Sequence, residues 1–246
     1  MKAIVIYEAG GPEKLLYEEV PTPKVKEGWS LVRVQGFGIN HSEIFTRKVQ
    51  SPTVKFPRIL GIECAGVIEE TTDEKRLPVG TKVISIMDEM GRDFDGGYAE
   101  YALLPNQQIH PVHTDLPIEE WAALPETYFT AYGSMRNLNI REQDRVLVRG
   151  ATSGVGIAFL RLLKGKWTLD DFDPLVDMPV DAYLTSFHSG NVTAEVLQGM
   201  LDYVEKYGVN AAPEKVFSLE EVPDAHRYLE SGSSFGKVVV VLEQNV

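Results

Sequence analysis

One cysteine, Cys64, and five histidines are all that the chain offers of the side chains that most often hold zinc. A lone thiol closes no intrachain disulfide and builds no multi-thiolate metal site, and no two histidines stand in an HxxxH spacing, so no metal is expected. The scarcity of cysteine fits a reducing compartment, and a cytoplasmic location is expected. Long apolar runs are missing too. The longest late one, Val238 to Leu242, has the length of a strand and is far short of a membrane span. Met1 leads directly into KAIVIY, which reads as a first strand, with no charged segment and long apolar stretch ahead of it; no membrane partner is expected. Basic residues are in deficit, 24 against 36 acidic ones, for a net charge of −12. That balance repels phosphate backbones and anionic lipid faces, so nucleic acid is excluded as a partner. Internal repeats and low-complexity tracts are absent.

What is present is a chain of 246 residues, 43% hydrophobic, which is enough to bury a substantial core in one large domain or two small ones. Two textures follow one another. From Met1 to about His113 short apolar or alternating runs (KAIVIY, LLYEEV, SLVRVQGFGI, CAGVIEE, TKVISI, GGYAEYALL) recur between Pro and Gly punctuation, the pattern of a β-barrel or sandwich. From Asp115 to Asn137 the spacing turns helical and is interrupted at Pro125, whose missing N–H predicts two helices.

Arg145 to Lys164, RVLVRGATSGVGIAFLRLLK, reads as a buried strand, a glycine turn and an amphipathic helix starting near Val155. Gly150, Gly154 and Gly156 free the backbone to turn and to approach a ligand closely. The helix start would aim free N–H groups and a positive dipole end at that ligand, a combination that suits a pyrophosphate. The spacing departs from GxGxxG, and such turns also occur where only close packing is needed.

Beyond it, Ala182 to Phe187 reads as a strand and Thr193 to Tyr207 as an amphipathic helix stopped by Gly208. Ser218-Leu-Glu-Glu221 is a capping box opening a helix that ends at Gly232, and KVVVVL closes as a strand.

The order of GINHSEIFTR at 38–47, LGIECAGVI at 60–68, GGYAEY at 96–101, LPETYFTAYG at 124–133 and VLVRGATSGVG at 146–156 resembles the medium-chain dehydrogenase/reductase superfamily, in particular its zinc-independent quinone oxidoreductase branch. The resemblance runs over nearly the whole chain. It implies an α/β plus β fold: a GroES-like β-barrel catalytic domain, placed at 1–113 and 211–246, and a Rossmann-type nucleotide-binding domain, here truncated, at 114–210. It implies an NADPH-dependent quinone or enone oxidoreductase, with NADH as the other candidate cofactor, a small-molecule quinone or enone substrate, and a homodimer.

Departures accompany the matches. In zinc-dependent relatives the metal is held by a Cys where Asn40 stands, a His where Ile62 stands and a second Cys near Glu126. The doubly wound sheet of the family needs six strands, and only the first, Arg145 to Arg149, and a last, Ala182 to Phe187, are legible. At about 20 residues for each strand with its crossover, roughly 80 residues are missing between Lys164 and Trp167, and with them the residue that reads the adenine ribose. Cofactor binding is therefore expected to be weakened.

By the resemblance, Asn40 lies near nicotinamide and substrate, Thr130 contacts the carboxamide edge, Gly150, Ser153, Gly154, Val155 and Gly156 form the pyrophosphate loop, and Phe187 and Ser189 lie over the nicotinamide. Tyr128 is the candidate proton donor, solvent the other. Each has a structural use as well: Asn40 can satisfy a turn, Thr130 and Tyr128 can pack inside a helix, and the run around Phe187 can cap a strand. A catalytically inactive, truncated protein acting as a dimerising or binding module is the alternative to a reductase.

Overall fold

A computed structural model describes residues 1–48, 54–141, 144, 146, 148–163, 189, 190 and 192–243. Its N-terminal part carries β1 (Lys2–Ile6), β2 (Leu16–Glu19), β3 (Trp29–Ile39), α1 (His41–Arg47), β4 (Arg58–Ile59), β5 (Glu63–Glu70), β6 (Lys82–Ile86), β7 (Tyr101–Pro105) and β8 (His110–Pro111). Helices follow: α2 (Ile118–Trp121), α3 (Pro125–Asn137), α4 (Gly154–Leu163) and α5 (Ala194–Tyr207). The chain then returns through β9 (Lys215–Phe217), α6 (Val222–Glu230) and β10 (Val238–Val241).

β3 organises the larger sheet, whose order is β8-β6-β5-β3-β10-β9. One edge of β3 pairs with β5 from Leu31 to Gly36, with two register shifts. The other edge is shared: Trp29 to Arg33 pair with β7, and Gly36 to Ile39 pair with β10. The last strand of the protein is thereby brought beside the turn from β3 into α1, where Asn40 stands. Gly36 is needed at this changeover, because a Cβ there would sit 2.8 Å from the Cβ of Ala122.

The alternation of β5 and β6 serves two cores at once, since successive side chains point to opposite faces. Cys64, Ile68 and Val83 face a core built with β1, β3, α6 and β10, and Ala65, Ile84 and Ile86 face a second core built with α2, α3, α4 and α5. Buried this way, the Cys64 thiol is pushed up to about 12, by burial first and then by the Glu63 charge, and is inert as a nucleophile.

Helix boundaries follow local chemistry. Pro125 opens α3, where its missing N–H costs nothing. Thr193 caps α5 by accepting from the Val196 N–H at 3.2 Å, and Gly208 ends that helix with φ 56°. Glu221 accepts from the Ser218 N–H at 2.8 Å at the start of the turn that leads into α6.

Two expectations are corrected. The closed barrel is instead two sheets, the second with order β2-β1-β4. They are joined by an Ala3–Ala99 bridge, with the Ile4 N–H donating to Tyr98 O at 2.9 Å and the Glu100 N–H to Lys2 O at 3.0 Å. The chain leaves β1 at this point and pairs with β3 from Tyr101 onward, so among the described residues the ladder does not run round as one ring. Of the strand expected over Arg145 to Arg149, the described residues Val146, Val148 and Arg149 lie in no strand. An extended run needs a neighbour to take its backbone hydrogen bonds, and no neighbouring strand is there for it among the described residues. Val146 and Val148 pack instead, partly buried, against the second core. The strand read at Ala182 to Phe187 lies outside the described residues. Among those described, no helix is long and apolar enough to cross a membrane.

Candidate active site

Asn40 follows β3 and precedes α1, with extended backbone (φ −125°, ψ 158°). Its N–H donates to Glu43 Oε2 at 3.1 Å, and Glu43 Oε1 in turn accepts from the Ile62 N–H at 3.1 Å. These bonds lock α1 onto the start of β5. The Asn40 side chain meets two charges: its Nδ2 donates to Glu63 Oε1 at 3.2 Å, and its Oδ1 accepts from Lys237 Nζ at 2.6 Å. Lys237 and Glu63 also bond each other at 2.8 Å, with side chains 5% and 0% exposed. Only glycine fits at position 38, for a Cβ there would lie 2.0 Å from Lys237 Cε and 2.2 Å from Glu63 Oε1.

The remaining oxygen of Glu63 faces the start of α3. Its Oε2 accepts from the Glu126 N–H at 2.6 Å, a donor that the first helical turn leaves without an internal partner. The Glu126 side chain completes the cluster: Oε1 accepts from Ser189 Oγ at 2.9 Å and from Thr130 Oγ1 at 3.2 Å, and Oε2 is buried without a hydrogen-bond partner among the described residues. Three carboxyl groups thus share one lysine. Burial pushes Glu126 up to about 7, reinforced by the Glu63 charge, and Ser189, Lys237 and Thr130 pull the other way. Burial also lifts Glu43 to about 7 against the opposing Ile62 N–H.

Asn40, Thr130 and Ser189 are therefore joined through Glu63 and Glu126. The glycine turn is near. Gly150 has φ +68°, Ser153 Oγ donates to Gly150 O at 2.8 Å, and the Gly156 N–H donates to Ser153 Oγ at 3.1 Å. A Cβ on Gly156 would stand 2.3 Å from Gly150 O. Gly154 begins α4 and faces the Gly236 carbonyl, 3.5 Å from where its Cβ would be, so the turn abuts the residue preceding Lys237. Val155 is exposed beside it. Phe187 lies outside the described residues. Tyr128 faces elsewhere: buried within α3, its hydroxyl donates to Asn210 O at 3.1 Å and accepts from Arg161 Nη1 at 3.2 Å.

The motif reading passed over Lys237, Glu43 and the acid side chain of Glu126. A usable signal was a lysine directly ahead of the VVVV run, opposite a strand carrying Gly36 and Gly38, because a charge embedded among buried positions needs a partner.

Zinc does not suit this donor set. Ile62 has no ligating atom, both Glu63 oxygens are taken, and among the described residues no group of three His, Cys, Asp or Glu is arranged to hold a metal ion.

Known proteins resemble this arrangement along most of the chain. The alcohol dehydrogenase GroES-like domain family matches residues 26–114, and the zinc-binding dehydrogenase family matches residues 131–240. Human quinone oxidoreductase is 32% identical over 168 residues, 67% of this chain and 50% of the human protein, and the mouse enzyme is 33% identical over 172 residues, 67% of this chain and 49% of its own. The chain spans about half the length of these curated relatives. Among solved structures, the quinone oxidoreductase from Coxiella burnetii superposes with a TM-score of 0.84 at 20% identity, covering 99% of each chain. A mycobacterial protein solved with NADPH gives a TM-score of 0.81 at 20% identity, over 98% of this chain and 100% of that one. With a GroES-like segment, a dehydrogenase segment after it and quinone oxidoreductases as relatives, the chain belongs to the medium-chain dehydrogenase/reductase superfamily.

Proposed function

We propose that the protein is an NADPH-linked quinone or enone oxidoreductase by descent, with a weaker hold on its cofactor than its longer relatives have. The observation that carries this reading is the contact between the glycine turn and the Asn40 cluster. Gly154 faces Gly236, the next residue is Lys237, and Lys237 Nζ bonds Asn40. A helix start of the kind that suits a pyrophosphate and the polar cluster around Asn40 are thereby neighbours, which supports a dinucleotide reductase.

When bound, the dinucleotide supplies the hydride and the acceptor is an electron-poor ring or enone. The chain's own residues bind and orient. The N–H groups at the start of α4, with Gly150, Ser153, Gly154, Val155 and Gly156, would hold the pyrophosphate. Thr130, Ser189 and Phe187 would hold the nicotinamide side, and Asn40, braced by Lys237 and Glu63, would set the acceptor. The adenine end is left without the strand that normally reads its ribose, so affinity falls and the choice of NADPH over NADH loses its usual determinant. A homodimer belongs to the same reading and is checked by sedimentation velocity, where a single monomer boundary at every concentration tells against it.

The competing reading, an inactive binding module, draws on the described residues Val146, Val148 and Arg149 lying in no strand and on the half-length match to the curated relatives. A fluorescence titration with NADPH and NADH separates the two. Saturable binding with quinone-dependent NADPH oxidation supports the reductase; neither signal at millimolar cofactor, on the order of the weakest common KM values, rejects it.

A further inference from the structure

We infer that Glu126 is the proton donor of the site: held as a neutral acid, it delivers the proton on Oε2 to the oxygen of the acceptor after hydride transfer. This rests on the reductase reading above.

Tyr128, the donor suggested by the motif, has its hydroxyl occupied by Asn210 O and Arg161, and it makes no bond to the Asn40 cluster. Glu126 is in that cluster. Its backbone N–H is bonded to Glu63, and its Oε1 is fixed by Thr130 and Ser189, the residues expected beside the nicotinamide. Two donors on Oε1 leave the proton to Oε2, which is buried and has no hydrogen-bond partner among the described residues. A buried carboxyl oxygen with nothing to bond stays unsatisfied unless a ligand supplies an acceptor, and an acceptor oxygen is what a quinone or enone brings.

Burial and the Glu63 charge favour the neutral form of Glu126, and Lys237 opposes them. Glu63 on β5 carries the one lysine of the cluster, Lys237 ahead of β10, and Glu43 on α1 lies behind Asn40. Lys237 spends its bonds on Glu63 Oε1 and Asn40 Oδ1, and the hydrogen bonds to Glu126 come from neutral hydroxyls. Burial and the Glu63 charge put its titration at about 7, where an acid is best matched to work at neutral pH.

The step balances. Hydride transfer adds two electrons and one proton to the acceptor and turns NADPH into NADP⁺; the acceptor oxygen becomes anionic. Its new O–H bond forms as the Glu126 O–H bond breaks, leaving a glutamate carboxylate that regains its proton from solvent.

The test uses infrared titration of protein labelled with ¹³C-glutamate, alongside turnover of the full chain, for wild type and E126Q. Expected is a Glu126 protonated-carboxyl band that titrates near pH 7 and is missing in E126Q, beside a Glu43 band that E126Q keeps. Wild-type kcat should fall above that pH, and E126Q should lose about 100-fold in kcat together with the pH limb, with KM for NADPH within about threefold. A reductase that shows no Glu126 band, or an E126Q variant with wild-type kcat and pH profile, overturns the donor role alone. A protein that shows the Glu126 band but reduces no quinone with NADPH overturns the reductase reading and the donor role with it. E126D, which keeps the acid and shortens its reach, should recover part of the limb; an E126D profile identical to that of E126Q also counts against the donor role.

Discussion

Lys237 Nζ stands 2.8 Å from Glu63 Oε1 and 2.6 Å from Asn40 Oδ1, so one buried ammonium fixes both the β5 carboxylate and the side chain at the end of β3. The pair ties the last strand of the protein to its first sheet. It also orients Asn40, whose Oδ1 accepts from the Lys237 ammonium.

Removing the lysine should therefore be severe. K237M leaves Glu63 buried and uncompensated, a change that typically costs about 3–5 kcal/mol. Adding E63Q to K237M removes the stranded charge and should recover a large part of that loss. Urea unfolding of the two variants decides the matter: a double variant no more stable than K237M would mean that Glu63 does not feel Lys237 as its counter-charge.

The glycine turn can be tested at two neighbouring positions that differ in their surroundings. At Gly156 a methyl group would press to 2.3 Å from Gly150 O and 2.7 Å from Ala151 Cα, both backbone, so G156A must push the turn open. At Gly154 the nearest atoms are at 3.5 and 3.7 Å, ordinary contact. G156A should lose about 1–3 kcal/mol of stability, as overpacked sites do, and weaken NADPH binding further. G154A should unfold within about 0.5 kcal/mol of wild type, as unstrained substitutions do. Equal effects in thermal unfolding and NADPH titration would show that the turn is looser than its geometry indicates.

Legibility in the sequence tracked how local the cause was. Pro125, the Thr193 cap with Gly208, and the Ser218–Glu221 box could all be read because each acts within one helical turn. Whether the barrel closes depends on which strand the chain joins after Glu100, a choice made by distant partners. Val146 and Val148 lie in no strand for a related reason, since an apolar run specifies burial but not a neighbour. In the site, Asn40 and Thr130 were found through motifs. Lys237 escaped because its partners lie 197 and 174 positions away.

Tyr128 should prove structural. Y128F deletes a hydroxyl that donates to Asn210 O and accepts from Arg161, a loss of about 1 kcal/mol in stability for the missing hydrogen bond. Its kcat with NADPH and a quinone should stay at the wild-type value. A kcat reduced by about 100-fold with stability intact would restore Tyr128 as the acid of the site.

Opposing buried groups should flatten the pH dependence of stability in mild acid. Burial, aided by the charges of Arg47 and Arg76, pushes His226 down to about 3 and His110 down to about 4. Unfolding below the ordinary histidine value of 6.5 then takes up protons, so stability rises with pH through this range. Glu43 and Glu126 act in reverse: folded, they keep their protons to about 7, and unfolded they release them above 4.5, so stability falls with rising pH. Each such group is worth about 1.4 kcal/mol per pH unit at full effect, so two against two leave a plateau between 4.5 and 6.5. Below 4.5 the glutamates are protonated in both states while His226 stays neutral in the fold, and stability should decline with acid. E126Q takes away one side of the balance, and its stability should climb with pH by about 1.4 kcal/mol per unit across the plateau. Urea unfolding at half-unit steps reads both curves; a wild-type curve as steep as that of E126Q would show that Glu126 gives up its proton in the folded protein at the ordinary carboxyl value.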